Sequence, residues 1–388
     1  MCLAVDGRSP QNGSFCDESG AISSLQSQPA SASSLRPLQL FASRVPDPPA
    51  LAAPSPFPED AGHGPLPCEA RFGVLGGIGH DSVRLVWLVG VDENGLGPRL
   101  GPLVATAICA ETRRYRRPSL CELGRRLGIH DSKLTSAFGK MRHTEGIVLA
   151  LVERLSGALP RDADALLESV SLAGLAALRA PCPKHSAPQC WQTRLSLPAF
   201  GGDIGCGHAA LQQLAKAGVR LRRARSLLAC ARVFNAESAR LGSRFALDVS
   251  MFERLLVDAR EASQADLEAR CGMVGGIRGY VPYFTVLRPD DVQVLRQATG
   301  RVSYRVAGLG RVHFEVDADA RHLLVALASM LGKYLRELAM ERQNRFYARH
   351  GRHLAAVSGY HDPRTRRFIE QSHELRRRLG IEPRCFER

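Results

Sequence analysis

Between Trp87 and Ala110 the chain reads WLVGVDENGLGPRLGPLVATAICA, and no other stretch limits the possible fold as sharply. The apolar run Val86 to Val91 reads as a strand that delivers two adjacent carboxylates, Asp92 and Glu93, onto a bend carrying Gly95, Gly97, Pro98, Gly101 and Pro102. A second apolar run, Leu103 to Cys109, carries the chain away. Adjacent acids are out of place at the end of an apolar strand unless something there uses their charge. Glycine lacks a Cβ, so the backbone at Gly95 and Gly97 can approach a ligand closely and turn its N–H groups outward. The combination suits a metal-dependent phosphate site. A solvated hairpin turn uses the same residue types and is the other reading of this stretch taken alone.

Charge narrows the partners. Of the 388 residues, 1–80 hold 11 of the 23 prolines, with many Ser, Ala and Gly and no sustained apolar period, which predicts a disordered tail. Residues 81–388 hold 48 basic and 31 acidic side chains, a net of about +17. A folded domain that basic expects a polyanion, most simply a nucleic acid, held through phosphate contacts that weaken with salt. An arginine-rich composition with no binding role is the plain alternative. No apolar run is long enough to span a membrane. The first residues, with Asp6, Asp17 and Glu18, suit neither a secretory signal nor an arginine-rich transit peptide, so the chain reads as cytoplasmic, and as a monomer. Its eleven cysteines are irregularly spaced and expected to be reduced. Cys182, His185, Cys190, Cys206 and His208 could in principle ligate zinc, but their spacing matches no strong ligand pair, so structural zinc is not expected.

Further along, Asp131-Ser132-Lys133 precedes a polar helix start. Apolar positions at helical spacing over 143–158 and 163–179 predict amphipathic helices, and the Pro-, Cys- and Gly-rich stretch 180–207 reads as an insertion anchored by Trp191. Val219 to Asn235 alternates as a strand, and Phe245 to Ala259 reads as a helix. Val302, Tyr304 and Val306, then Val312, Phe314 and Val316, predict a hairpin whose second strand runs into Asp317-Ala-Asp319. From His322 to about Tyr347 a helical apolar face is accompanied by a polar stripe of Ser329, Lys333, Arg336 and Glu337. Ser358-Gly-Tyr360-His precedes a last helix with Phe368 and Ile369.

In this order the pieces resemble ribonuclease HII, the type 2 ribonucleases H. Asp92 to Pro98 is similar to that family's D-E-x-G-x-G-P signature, Asp131 to Lys133 to its D-S-K element, Ala328 to Glu337 to its A-S-x-x-A-K-x-x-R-D helix, and Gly359-Tyr360 to its G-Y segment. The resemblance spans roughly 85–385 as short motifs separated by insertions. It implies an α/β, ribonuclease H-like fold over 81–388, a central mixed sheet flanked by helices with a helical C-terminal part. It also implies Asp92, Glu93 and Asp319 as catalytic metal ligands of a two-ion magnesium or manganese site; Asp317 or Glu337 could fill in, though the match assigns neither. Gly95, Gly97, Lys133, Ser329, Lys333 and Tyr360 are then substrate contacts, the lysines at phosphate and the tyrosine on a sugar. The implied substrate is an RNA–DNA hybrid, or a DNA duplex cut 5′ of an embedded ribonucleotide.

The pattern departs from the family in three places, one of them Glu337, which stands where the family's helix motif ends in aspartate. The third metal-binding aspartate should fall within Cys271 to Tyr280, and whether it maps to Gly272 or Gly275 the position is a glycine. The Gly-Arg-Gly cradle reads Gly95-Leu96-Gly97. Asp317 is expected to fill the gap ahead of Glu337, because residues two apart on a strand share a face and Asp319 would point the same way. A catalytically impaired homologue that binds hybrids without cutting them is the competing reading. A nucleic-acid-binding scaffold without hybrid preference is a third.

Overall fold

The apolar run that ends in Asp92 lies in the middle of a sheet. In the computed structural model, which describes residues 85–113, 117–130 and 138–388, this run is β1 (Val86–Asn94). The tail expected over 1–80 and the candidate phosphate contact Lys133 lie outside the described residues. β1 pairs antiparallel with β2 (Leu103–Thr112), and β2 antiparallel with β3 (Arg220–Ala229). On its other side β1 runs parallel to β4 (Leu267–Gly272). The remaining strands are β5 (Val292–Ala298), β6 (Arg301–Val306) and β7 (Gly310–Glu315); β7 is parallel to β4 and carries β6 and then β5 antiparallel. The order β3-β2-β1-β4-β7-β6-β5 is a mixed seven-stranded sheet.

Alternation along β1 and β2 explains why their apolar runs are unbroken. Leu88, Val104 and Ile108 face one apolar cluster, while Val89, Val91, Leu103, Ala105 and Ala107 face another across the sheet. A strand buried on both faces has no polar side to show. The helices, in chain order, are α1 (Arg117–Arg126), α2 (Arg142–Ser156), α3 (Ala163–Val170), α4 (Gly174–Arg179), α5 (Ile204–Lys216), α6 (Ala231–Arg240), α7 (Arg244–Ser263), α8 (Ala318–Arg321), α9 (Leu323–His350), α10 (Pro363–Gln371), α11 (His373–Arg378) and α12 (Pro383–Phe386). α7 supplies Leu247, Phe252 and Leu255 to the second cluster, and α9, of 28 residues, supplies Leu327, Leu331 and Leu335 to the first. α9 lies so close to β1 that a Cβ at Gly90 would collide with the Leu324 backbone. The last helices pack Phe368, Leu375 and Phe386 onto Leu100, Phe346 and Tyr347 in a third cluster. None of the described helices is long and apolar enough to cross a membrane.

The α/β class, the mixed sheet with helices on both faces and the helical C-terminal part agree with expectation. Several local readings are corrected. The strand read over Val219 to Asn235 stops at Ala229, and α6 starts at Ala231. The helix read over 163–179 is broken between α3 and α4, because Leu172 N–H donates to Ser226 O (2.9 Å) and draws the chain onto β3. Within 180–207 the chain is irregular to Asp203, whose carboxylate then caps α5 by accepting Cys206 N–H. The stretch is held from below by buried Glu145 of α2, which accepts the N–H groups of Ala199 (2.5 Å), Phe200 (2.8 Å) and Gly202 (2.7 Å) and the Tyr334 hydroxyl (2.7 Å). β7 ends at Glu315, before Asp317. Asp317 itself is in the left-handed region (φ 49°, ψ 40°) and leads into α8, so Asp317 and Asp319 do not alternate along a strand and the shared-face argument fails.

Candidate active site

The sheet sets the site by ending its strands together. Asp92 and Glu93 stand at the C-terminal end of β1, Gly272 at that of β4, and Glu315 opposite Gly272 at that of β7. In open α/β sheets ligands bind outside the carboxyl ends of strands. A solvent-open cavity lies here, walled by Asp92, Glu93, Gly95, Asp317, Asp319, Ser329, Lys333 and Tyr360, with Gly272 and Glu315. All the described candidate site residues meet there except Gly97, whose carbonyl accepts from His361 Nε2 (3.0 Å) off the cavity wall.

Each wall residue is placed by a local cause. Asn94 Nδ2 donates to Ser329 O (3.2 Å), and Gly332 lets α9 settle onto Asn94 and Thr106, where a Cβ would come within 2.7 Å and 3.0 Å of their side chains. That contact sets Ser329 beside the Asp92 carboxyl, to which it is hydrogen-bonded, and puts Lys333 one turn further along the same face. Asp319 sits in the first turn of α8 and accepts Ala320 N–H (3.0 Å). Arg336 ties the bend of the first motif to the Gly-Tyr segment. It is 1% exposed, donates to Ser358 O (2.9 Å), Leu100 O (3.4 Å) and Glu337 Oε1 (2.9 Å), and holds its guanidinium 4.7 Å from the Tyr360 ring centre. Gly95 (φ 96°) packs against the same arginine, and a Cβ there would meet Pro102 O at 2.7 Å and Arg336 Cδ at 3.0 Å. Glu337, the weaker sequence candidate, is buried in its pair with Arg336 and does not line the cavity.

Electrostatics show what the walls lack. Burial, then the charge of Glu93, push the Asp92 carboxyl well above the usual carboxylate range; Asp319 adds to this and the Ser329 hydrogen bond opposes it. Carboxylates gathered this way favour a cation among them. Among the described residues, no three His, Cys, Asp or Glu side chains stand close enough to hold an ion without moving. The carboxylate oxygens of Asp92, Glu93 and Asp319 are donors of the type that suits a hard divalent cation. Glu315 is already answered. Burial works to raise it, but His322, Arg270 and Arg301 prevail and hold it well below the ordinary value.

The structure tells the two candidate glycines apart. A Cβ on Gly272 would fall against Asp92 Oδ1 and 3.4 Å from Glu93 Oε2, so position 272 faces the acids. Gly275 (φ 53°) points instead into the Phe245 ring. Sequence reading passed over Asp248 of α7. It is fully buried, neither oxygen has a hydrogen-bond partner, and burial, followed by the charge of Asp92, holds it well above the ordinary value. The signal was available, since Asp248 interrupts an otherwise apolar helix face of Phe245, Phe252 and Leu255.

The mixed sheet with helices on both faces and an acid-lined cavity at its strand ends is the arrangement expected of a ribonuclease H-like fold. Within that class the chain resembles ribonuclease HII, and a model of the ribonuclease HII family matches residues 287–379, from the approach to β5 through α11. That match contains Asp317, Asp319, Ser329, Lys333 and Tyr360. Among solved structures, the chain is 18% identical to ribonuclease HII of Archaeoglobus fulgidus in its complex with PCNA (77% of this chain, 91% of that one, TM-score 0.39). It is likewise 18% identical to ribonuclease H2 of Pyrococcus horikoshii OT3 (78% and 92%, TM-score 0.39) and 15% identical to Bst-RNase HIII in complex with Mn2+ (74% and 71%, TM-score 0.35). Comparison with curated proteins finds no match.

Proposed function

We propose that this chain is a divalent-metal-dependent endonuclease that cuts the RNA strand of RNA–DNA hybrids, or the DNA strand 5′ of an embedded ribonucleotide. The observation that carries the reading is the meeting of Asp92, Glu93 and Asp319 with Ser329, Lys333 and Tyr360 in one cavity, although they come from three separate stretches of chain. Asp92, Glu93 and Asp319 hold magnesium or manganese, with Asp317 at the rim. Bound divalent ions supply activation of water and neutralisation of the leaving 3′-oxygen. Ser329 keeps the Asp92 carboxyl aimed into the cavity. Lys333 meets the phosphate, Gly95 offers its backbone, and Tyr360, 48% exposed and backed by Arg336, presents a ring face to the sugar that carries the 2′-hydroxyl. Lys133 belongs to the same phosphate contact by its motif.

A second reading, a homologue that binds hybrids without cutting them, is favoured by the bare Gly272 facing Asp92. Cleavage of a duplex with one ribonucleotide and of an all-RNA hybrid strand, each in magnesium and in manganese, decides between them. The nuclease reading expects metal-dependent cutting that Asp92→Asn abolishes while hybrid binding persists. Undiminished cutting by Asp92→Asn overturns the assignment of the site, and binding without any cutting by the unaltered chain establishes the second reading.

A further inference from the structure

The bend between β1 and β2, Gly95 to Pro102, is held by contacts from distant segments of the chain, and its carbonyls are occupied in succession. Gly97 O accepts from His361 Nε2 (3.0 Å), Pro98 O from Arg388 Nη2 (2.5 Å), Arg99 O from Arg388 N–H (3.0 Å) and Leu100 O from Arg336 Nη2 (3.4 Å). The Arg99 guanidinium donates to Glu387 Oε1 through Nε (2.8 Å) and Nη2 (2.5 Å). Arg99 N–H and Leu100 N–H go to Gly359 O. Among the described residues, the N–H groups of Gly95, Leu96 and Gly97 have no hydrogen-bond partner. A Cβ at Gly97 would meet nothing within 4 Å, so the space beside it is open.

Glu387 and Arg388 are themselves fixed. Phe386 packs in the third apolar cluster together with Leu100 of the bend, its ring 5.7 Å from that of Tyr347 and 6.2 Å from that of Phe368. The Arg376 guanidinium lies 3.9 Å from its centre. On α6, Asn235 Nδ2 donates to Glu387 O (2.8 Å) and to Arg384 O (3.2 Å), and the Phe234 ring carries the Arg388 guanidinium at 4.6 Å. Donors on a rigid support therefore meet a bend that is rich in glycine.

We propose that Glu387 and Arg388 are positioning residues for the substrate, locking the bend so that the N–H groups of Gly95, Leu96 and Gly97 stand ready for the ribose at the cut, a role that rests on the nuclease reading. Gly95 (φ 96°) and Gly101 (φ 86°) occupy backbone conformations that only glycine adopts freely, and such a chain samples many others when nothing holds it. An unheld bend has to be ordered as the duplex binds, and that cost falls on affinity. Asp92 and Glu93 belong to β1, and Ser329 and Lys333 to α9, so the acids and the lysine keep their places when the strap is cut. Loss of the strap should thus raise KM and leave kcat nearly alone.

The test compares Arg388→Ala with the unaltered full chain on a duplex carrying one ribonucleotide, in manganese. Amide hydrogen exchange of the metal-free chain, read by mass spectrometry, is measured beside it. KM is expected to rise about tenfold with kcat within about twofold, the scale of one lost hydrogen bond from a charged donor. Exchange is expected to quicken over 95–101 and to stay unchanged in α9. Circular dichroism reports whether Arg388→Ala folds. If it does not, Glu387→Gln, which weakens the pair with Arg99 and leaves Arg388 in place, is read in the same two ways, with a KM rise of about threefold expected. A folded variant in which KM or the exchange of the bend is unchanged overturns the inference, as does a loss confined to kcat. If the unaltered chain binds the duplex without cutting it, Kd takes the place of KM. A chain that neither cuts nor binds removes the nuclease reading and this role with it, whereas a chain that cuts with a KM indifferent to Arg388→Ala removes this role alone.

Discussion

At position 272 a single absent side chain leaves the wall beside Asp92 without a further acid. An aspartate there puts a fourth carboxylate against Asp92, whose side-chain end can turn to admit it, whereas Gly275→Asp must displace the Phe245 ring from a left-handed backbone. Gly272→Asp is therefore expected to raise manganese-supported cleavage and to increase the rise in melting temperature caused by manganese, while Gly275→Asp lowers stability. Equal behaviour of the two variants in a melting titration sinks this reading. Asp248 makes a second prediction. Its folded pKa is raised, so the unfolded chain ionises from about pH 4 upward while the folded one keeps its proton, and stability is lost as pH rises toward the folded value. Asp248→Asn should raise the melting temperature at pH 7 to 8, with the gain shrinking toward pH 4. A melting profile identical to that of the unaltered chain across this range contradicts it.

Among elements, α9 organises the site, because one face packs on β1 while successive turns present Ser329, Lys333 and Arg336. Arg336 is where the helix, the first-motif bend and the Gly-Tyr segment meet, alongside the backbone bonds from Arg99 N–H (2.9 Å) and Leu100 N–H (3.1 Å) to Gly359 O. A lysine cannot reproduce the forked contacts to two carbonyls and a ring. Arg336→Lys should cost about 1–3 kcal/mol of stability, the range for buried acceptors left unmet. It should also weaken hybrid binding more than it slows turnover at saturation. Thermal denaturation together with a KM and kcat comparison checks both parts. A substitution silent in both would show that Arg336 does not place Tyr360.

For the molecule as a whole, a basic domain carrying an acid-lined cavity needs its charge spread around the site to hold a polyanion. If the partner is a hybrid, affinity should fall at least about tenfold between 50 and 200 mM salt, as expected when several phosphates are neutralised. An affinity indifferent to salt points away from nucleic acid. The sequence by itself determined the strand that ends in Asp92 and Glu93, the glycine bend, the polar stripe of α9 and the Gly-Tyr segment. Each of these is written within a few residues as an alternation, a helical spacing or a turn composition. Only the tertiary structure decided that Gly272 and not Gly275 faces the acids, that Asp317 leaves the strand before any parity can act, and that Asp248 lies buried near Asp92. The physical reason is that strand order and helix docking set which distant segments touch, and no local period in the chain encodes those contacts.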